Sequence, residues 1–135
     1  MFGVIFDLDG VLINSEPILW EGYQEAIRAH GGELPHDHLP HYRGISLRDA
    51  VPRLNKSYNV RLQLDDFSSF LWENELRAFD QKTCLFPGEL SFLNELKSHH
   101  IPMAVGTASM QDRAHDLLTR AGIYSYFSGI VTANE

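Results

Sequence analysis

The chain has little of three things: cysteine, long apolar segments and basic charge. Its one cysteine, Cys84, excludes an intrachain disulfide and is typical of a reducing compartment. No apolar run approaches the roughly 20 residues that span a bilayer, and the first residues do not form a secretory signal. The formal net charge of −7 argues against a broad basic face for nucleic acid or anionic membrane. We therefore expect a cytoplasmic protein that binds neither.

What is present is the composition of a globular protein. The 135 residues are 44% hydrophobic and 21% charged, so the chain has enough apolar side chains to build a core. A fold that buries such a core is expected, rather than a disordered or fibrous chain.

The stretch FDLDGVL places two aspartates, Asp7 and Asp9, directly after a short apolar run. The run, residues 1–6, contains β-branched and aromatic side chains and predicts a strand that is buried on both faces of a parallel sheet. Gly10 predicts a turn after it. Ligands of open α/β sheets bind beyond the carboxyl ends of the strands. Because neighbouring carboxylates repel unless a cation or a donor offsets their charge, the pair predicts a divalent metal site.

The segment that follows predicts three helices with no strand between them. The first begins at the cap candidates Asn14 and Ser15. A stretch rich in histidine and proline, residues 33–46, predicts a loop. Ser46 has the spacing to cap the second helix, which Pro52 should shorten or kink. The apolar positions that share a helix face are Ile18, Tyr23, Ala26 and Ile27 in the first helix and Phe67, Phe70, Leu71 and Phe79 in the third.

Helix and strand alternate in the rest of the chain. A helix with Leu90, Leu93 and Leu96 on one face precedes an apolar strand at 101–106. A further helix, ended by Gly122, precedes a third short strand in GIVTA. Such alternation predicts right-handed crossovers and a parallel sheet. The predicted fold class is therefore α/β, with a small helical unit inserted after the first strand.

A second polar group follows the second predicted strand. Thr107 can donate its hydroxyl to a phosphate oxygen, and the helix that starts near Ser109 presents unpaired backbone amides to an anion. If the two strands are neighbours, these groups and Asp7 share one crevice. Magnesium prefers oxygen ligands, so it would bind Asp7 and offset the charge of a phosphoryl group. The two strand ends together predict a site for phosphoryl chemistry.

Several motifs along the chain carry a family resemblance. They are FDLDGVL followed by NSE, then YRGIS, FPGELSFLNELK, MAVGTAS and YFSGIVTANE. On these motifs the whole chain resembles the haloacid dehalogenase superfamily, in particular its β-phosphoglucomutase-like branch of small-cap phosphatases and sugar-phosphate mutases. The resemblance implies a Rossmann-like core of about three strands, residues 1–14 and 82–135, with an inserted α-helical cap, residues 15–81.

The resemblance also implies a role for each polar group of the site. Asp7 would be the nucleophile that forms an aspartyl-phosphate, and it would also bind Mg²⁺. Asp9 would be the general acid and then the general base, with its backbone carbonyl as a second metal ligand. Thr107 would hold the transferring phosphoryl group together with the loop amides of Ala108 and Ser109.

Three further residues are implied to lie against the substrate. Gly10 would do so in the turn after the nucleophile, and Arg43 and Gly44 in a loop of the cap. Closure of the cap would exclude bulk water, which competes with the intended acceptor.

Two other groups have simpler interpretations. A cluster of loop residues could bind a metal, but no further ligand is specified, and loop histidines are common. Cys84 has no recognisable context for a nucleophile, so we treat it as inert. The residues of the loop cluster are His36, Asp37, His38 and His41.

The sequence departs from the family pattern in three respects. Asn14 stands where an acidic residue is frequent, and Met110 stands where a basic residue sometimes occurs. The family also continues to a lysine and then to an acidic motif, and this chain ends at Glu135, before both. Because those groups neutralise charge and complete the metal ligands, we expect the isolated chain to turn over very slowly, if at all. We also expect the first strand to form an exposed apolar edge, so that the chain dimerises through this edge, aggregates, or is a fragment of a longer protein.

The leading hypothesis is a Mg²⁺-dependent phosphomonoester hydrolase that acts on a small sugar or polyol phosphate. A β-phosphoglucomutase-like phosphomutase is the alternative, since the two differ in whether water or a second sugar hydroxyl reaches the aspartyl-phosphate. A catalytically silent fragment or phosphate-binding module is the third hypothesis. The expected partner is in each case a small phosphorylated metabolite.

Overall fold

The computed structural model describes residues 2–81 and 84–132, and these form two compact units. One, which we call the helical unit, covers residues 17–78. The other, which we call the sheet unit, is built from the chain on either side of it. Within the described residues, no helix is both long enough and apolar enough to cross a membrane.

The sheet unit is organised around three parallel strands in the order β1-β2-β3. Strand β1 is Val4–Phe6, β2 is Met103–Thr107 and β3 is Ile130–Thr132. Phe6 pairs with Val105, and Thr107 pairs with Thr132. This sheet confirms the predicted α/β fold class, although β2 begins two residues later than expected. The end of the predicted third strand, at 133, lies outside the described residues.

Five α-helices are described along the chain. They are α1 (Glu16–Ala29), α2 (Leu47–Tyr58), α3 (Leu64–Gln81), α4 (Glu89–Ser98) and α5 (Gln111–Arg120). Two short 3₁₀ helices cover His36–Tyr42 and Tyr124–Tyr126. Helix α4 precedes β2, and α5 precedes β3, so the predicted alternation is confirmed.

The helical unit has its own apolar core. The predicted stripe of α1 is buried, and Tyr23 lies at its centre with aromatic contacts to Trp20, Tyr42 and Phe67. The stretch predicted as a loop instead contains a 3₁₀ helix, because its turns close with local bonds such as His38 N–H to the Pro35 carbonyl. Both Leu39 and Tyr42 of this helix are buried.

Helix α2 confirms the predicted Ser46 cap, and it is not shortened at Pro52. Ser46 caps it, because the Ser46 hydroxyl accepts a hydrogen bond from the Asp49 amide at 3.3 Å. Pro52 does not end the helix, which continues for six further residues to Tyr58. Packing of Ala50, Val51 and Leu54 into the core outweighs the lost backbone hydrogen bond.

The prediction that β1 is buried on both faces is wrong. Phe6 contacts the rings of Phe92 and Phe127, but the side chain of Ile5, on the opposite face, is 76% exposed. Two right-handed crossovers that run in the same direction across a sheet put their helices on the same face. Helices α4 and α5 therefore cover one face, and the face with Ile5 and Val131 lies open in the described part of the chain.

The stripe predicted for α4 is also partly wrong. Leu93 is fully buried as expected, but Leu90 is 46% exposed. Its neighbour Glu89 is buried instead, because its carboxylate turns back to accept a hydrogen bond from the Phe86 amide at 3.0 Å.

Candidate functional site

The two polar strand ends lie at the same edge of the sheet. Asp7 follows the last residue of β1, and Thr107 is the last residue of β2. Because Phe6 pairs with Val105 in a parallel ladder, Asp7 and Thr107 leave the sheet in the same direction. The expectation that these strands are neighbours is confirmed.

A tight turn fixes the chain after Asp7. The carbonyl of Leu8 accepts hydrogen bonds from the amides of Leu12 and Ile13, at 3.0 and 2.9 Å, and the amide of Gly10 donates to the Ile13 carbonyl at 2.8 Å. Leu8, Leu12 and Ile13 are all buried, which anchors the turn in the sheet unit. Gly10 has φ of 76°, a left-handed conformation that glycine adopts without a Cβ penalty.

The carboxylate of Asp7 is held by its own turn and faces solvent. Its Oδ1 accepts a hydrogen bond from the Leu8 amide at 2.7 Å. Among the described residues, no hydrogen-bond donor reaches its other oxygen, and the residue is exposed. Asp7 is therefore oriented at one oxygen and accessible at the other.

The carboxylate of Asp9 is engaged at both oxygens. Its Oδ1 accepts from the Ser15 hydroxyl at 2.7 Å and from Nη2 of Arg113 at 2.8 Å. Its Oδ2 accepts from Nη1 of Arg113 at 3.0 Å. Asp9 and Arg113 thus form a bidentate ion pair, a geometry that the planar guanidinium favours.

The ion pair decides the protonation state of Asp9. Burial raises the pKa of this carboxyl, but the hydrogen bonds and the positive charge of Arg113, with the hydroxyl of Ser15, outweigh it and leave the pKa below its ordinary value of 3.8. In this arrangement the Asp9 carboxylate is ionised and can accept a proton, which is what a general base does. To act as a general acid, Asp9 must first take up a proton.

The loop after β2 is closed by Thr107. The Thr107 hydroxyl oxygen accepts a hydrogen bond from the Ser109 amide at 3.0 Å. The Thr107 hydroxyl retains a proton that it can donate. The Ser109 amide, which was predicted to bind the phosphoryl group, is directed at the Thr107 oxygen in the structure. The hydroxyl of Ser109 accepts a hydrogen bond from Nη1 of Arg113 at 2.7 Å. Ala108 lies exposed between them.

Arg113 was missed by the sequence reasoning. It joins the two strand-end loops, because one guanidinium binds both Asp9 and Ser109. A signal was available: an arginine four residues after Ser109 lies one helical turn further along, in the first turn of α5. That first turn is an unfavourable place for a cation, since the helix dipole is positive there.

The donor set of the turn fits a magnesium ion. Mg²⁺ is usually held by one or two protein carboxylates and keeps several waters. The accessible oxygen of Asp7 is such a ligand, whereas the carboxylate of Asp9 is already committed to Arg113 and Ser15. The backbone hydrogen bonds of the turn are accepted by the carbonyls of Leu8 and Ile13, not by that of Asp9. The Asp9 carbonyl as a second metal ligand stays a prediction.

The remaining predicted residues lie in the helical unit. Arg43 follows the first 3₁₀ helix and is exposed, and Gly44 has φ of 73°. Of the histidine cluster, His38 and His41 stack at 6.0 Å between ring centroids, and Nδ1 of His38 lies 2.9 Å from the hydroxyl of Tyr58. In the part of the chain that the structure describes, no group of three or more His, Cys, Asp or Glu could hold a metal.

Comparison with known proteins identifies the family. The profile of the haloacid dehalogenase-like hydrolases matches residues 4–135. This chain belongs to that family. The resemblance inferred from the motifs is thereby confirmed, and this haloacid dehalogenase-like chain has relatives among phosphatases.

Three relatives illustrate the likeness of this haloacid dehalogenase-like chain to known proteins. A phosphorylated carbohydrates phosphatase of Thermotoga maritima is 29% identical over 135 residues, which are 100% of this chain and 62% of that protein. The crystal structure of a candidate beta-phosphoglucomutase from Thermotoga maritima has a TM-score of 0.82 at 29% identity, over 99% of this chain and 62% of that one. A HAD family hydrolase from Deinococcus radiodurans R1, crystallised with bound phosphate and sodium, has a TM-score of 0.74 at 25% identity. The match covers 98% of this chain and 58% of that one. The chain thus spans 58% to 62% of the length of these relatives.

Proposed function

We propose that this chain carries the nucleophile and the phosphoryl-binding loop of a Mg²⁺-dependent phosphomonoester hydrolase. The single observation that carries the proposal is the placement of the accessible Asp7 carboxylate and the Thr107 hydroxyl at adjacent ends of parallel strands. A nucleophile and a hydroxyl donor so placed can contact the same phosphoryl group.

Asp7 performs the first half of the reaction. Its accessible oxygen attacks phosphorus, an oxygen–phosphorus bond to Asp7 forms, and the bond between phosphorus and the leaving alcohol breaks. The Leu8 amide holds the other carboxylate oxygen, so the attacking oxygen is directed out of the turn. Asp9 first takes up a proton from solvent and then donates it to the departing alkoxide, which leaves as the alcohol.

Asp9 performs the second half as a base. Water attacks the aspartyl-phosphate, its proton passes to the Asp9 carboxylate, and Asp7 is released together with inorganic phosphate. Ser15 keeps the Asp9 carboxylate oriented through its hydrogen bond at 2.7 Å. The ionised form of Asp9, which Arg113 favours, is the form that this step requires.

The phosphoryl group rests against the second strand end. The Thr107 hydroxyl donates to one of its oxygens, and the amides of Ala108 and Ser109 lie in the same loop. Mg²⁺, held by the Asp7 carboxylate and the Asp9 carbonyl, would supply positive charge that offsets the charge of the phosphoryl group. We further propose that Gly10 leaves room for the substrate beside the nucleophile, since apart from its two chain neighbours no described residue has an atom within 4 Å of the place where a Cβ would be.

The segment 15–81 is proposed as the cap that covers the site, and it includes the whole of the helical unit. Arg43 and Gly44 of this segment are proposed to contact the part of the substrate that leaves. The relative that is a phosphorylated carbohydrates phosphatase, 29% identical over this whole chain, supports a sugar or polyol phosphate as substrate. The relative crystallised with phosphate supports an anion at the site. A cytoplasmic location stays a prediction.

A phosphomutase is the second candidate function. The structural likeness to a candidate beta-phosphoglucomutase, with a TM-score of 0.82, favours it. The two functions share Asp7 and Asp9 and differ in the acceptor of the phosphoryl group. Analysis of products from a sugar phosphate separates them: a hydrolase releases inorganic phosphate, whereas a mutase yields an isomeric sugar phosphate.

The experiment that tests the proposal is phosphate release from an aryl phosphate by the 135-residue chain with magnesium. We expect slow release that Asp7→Asn abolishes. The control is Asp65→Asn, which removes one carboxylate from an exposed position on α3 and should leave the rate unchanged. Measurable phosphate release at the same rate in the parent and in Asp7→Asn would refute the role of Asp7. If the parent is inactive but a longer chain of the same protein is active, the site requires groups outside these residues.

A further inference from the structure

Arg113 stands at a position that helix formation alone would not select. It is the third residue of α5, in the turn where the helix dipole disfavours a cation. The preceding Met110 supplies no side-chain cap to this helix end. The side chain of Arg113 is nonetheless only 24% exposed. Its contacts outside the helix therefore account for its place.

Those contacts join the acid–base residue to the phosphoryl-binding loop. Nη1 and Nη2 of Arg113 bind the two oxygens of Asp9, and Nη1 also donates to the hydroxyl of Ser109. Ser109 in turn donates its amide to Thr107. One guanidinium thus lies between the carboxylate of Asp9 and the loop in which we place the phosphoryl group.

We propose that Arg113 is a shared cation, which holds Asp9 in the free protein and transfers to the phosphoryl group of a bound phosphate monoester. This inference rests on the proposed function, because it places the phosphoryl group at the Thr107 loop. Transfer of the guanidinium leaves Asp9 with Ser15 as its partner and frees one of its oxygens for proton transfer. Binding of the substrate thereby releases the acid–base residue.

The chemistry of the guanidinium supports the exchange. Its planar fork fits a carboxylate and a phosphate equally well in geometry, so one ligand can replace the other without a new side-chain arrangement. A phosphate dianion carries more charge than a carboxylate and attracts the cation more strongly. The exchange also brings positive charge to a site where Asp7, Asp9 and phosphate are all negative, which is the compensation that phosphoryl transfer requires.

The first part of the test is the affinity of the full chain for inorganic phosphate, measured by calorimetry at fixed pH, salt and magnesium. We expect Arg113→Ala to weaken binding about tenfold, and Arg113→Lys to restore part of the loss because it keeps the charge without the fork. Arg120→Ala is the matched control: it removes the same charge from the last turn of the same helix and should change the affinity less than about twofold. Thermal unfolding of each variant verifies that it is folded.

The second part of the test distinguishes competition from general charge repulsion. Asp9→Asn should tighten phosphate binding several-fold, because it removes the competitor for Arg113. In the Arg113→Ala background the same change should have a much smaller effect, since only long-range repulsion is then relieved. A double-mutant cycle measures this difference as the coupling between the two residues.

Three results would overturn the inference. They are an unchanged phosphate affinity in Arg113→Ala, an equal effect of Asp9→Asn in both backgrounds, and no phosphate binding by either the parent or Asp9→Asn. The proposed function is tested separately, because aryl phosphate hydrolysis that depends on Asp7 would stand in each of these cases. Hydrolysis that is equal in the parent and in Asp7→Asn, with phosphate affinity still dependent on Arg113, would refute the proposed function and leave the inference about Arg113 standing.

Discussion

Arg113 binds Asp9 in a bidentate ion pair across a separation of 104 residues in the sequence. The pair links the turn after β1 to the first turn of α5, so the two loops at the carboxyl edge of the sheet are fixed to each other by one guanidinium. The strand pairing that brings Asp7 and Thr107 together is thus supplemented by a side-chain contact between their two loops.

The ion pair predicts an acid-sensitive contribution to stability. The folded-state pKa of Asp9 is below its ordinary value of 3.8, so the pair stabilises the fold at a pH above that value and loses its effect as the pH falls through the folded pKa. Asp9 and Arg113 are 43% and 24% exposed, so solvent screening limits the effect to about 1 kcal/mol or less. Urea unfolding should show Arg113→Ala less stable than the parent at pH 7, with a difference that shrinks as the pH is lowered below 3.8. A difference that stays constant down to the lowest pH at which both proteins fold would show that Arg113 acts through packing instead.

Glu89 predicts the opposite pH dependence. Its side chain is buried, Oε2 accepts the amide of Phe86, and Oε1 has no hydrogen-bond partner among the described residues. Burial raises the pKa of Glu89, although the Phe86 amide opposes this, so Glu89 favours the fold below its unfolded pKa and loses that contribution as the pH rises through the folded one. Glu89→Gln should therefore stabilise the protein by about 1 kcal/mol at pH 7 and have little effect at pH 3.

The matched control for this change is Glu95→Gln on the same helix. Glu95 is exposed, so its neutralisation should leave the free energy of unfolding almost unchanged at both pH values. A loss of stability in Glu89→Gln at pH 7 would mean that the ionised carboxylate is the form that the fold requires.

The open face of the sheet predicts self-association of the 135-residue chain. Ile5 and Phe2 are 76% and 73% exposed, and β1 has a neighbouring strand on one side only among the described residues. Sedimentation velocity should show a mass that increases with protein concentration, and Ile5→Lys should suppress the increase because a charge on an edge strand opposes pairing. Leu90→Lys, on the exposed side of α4, should have no such effect. A parent that stays monomeric at every concentration would contradict this prediction.

Features that depend on local interactions along the chain could be predicted from the sequence, whereas features that depend on contacts between distant segments could not. The strands, the Ser46 cap and the buried stripe of α1 follow from local periodicity and cap chemistry, so they could be predicted. The burial of Glu89 in place of Leu90 could not, because it results from a hydrogen bond to a backbone amide before the helix rather than from helical spacing. The partnership of Arg113 with Asp9 depends on which loops meet in space.

The same distinction between local pattern and loop conformation applies to the candidate site. Asp7, Asp9 and Thr107 were predicted because they lie at or just beyond the ends of apolar strands, and strand ends are where ligands bind in such folds. The closure of the Ser109 amide onto Thr107 was not expected, since it depends on the conformation of one loop. Substrate contacts by Arg43 and Gly44 stay predictions.

The central claim is that Asp7 becomes phosphorylated, and trapping the intermediate tests it most directly. The 135-residue chain would be mixed with acetyl phosphate and magnesium, quenched in acid and analysed by intact mass and peptide mapping. We predict a mass increase of one phosphoryl group on the peptide that contains Asp7, present in Asp65→Asn and absent in Asp7→Asn. No adduct in the parent, or an equal adduct in Asp7→Asn, would contradict the account.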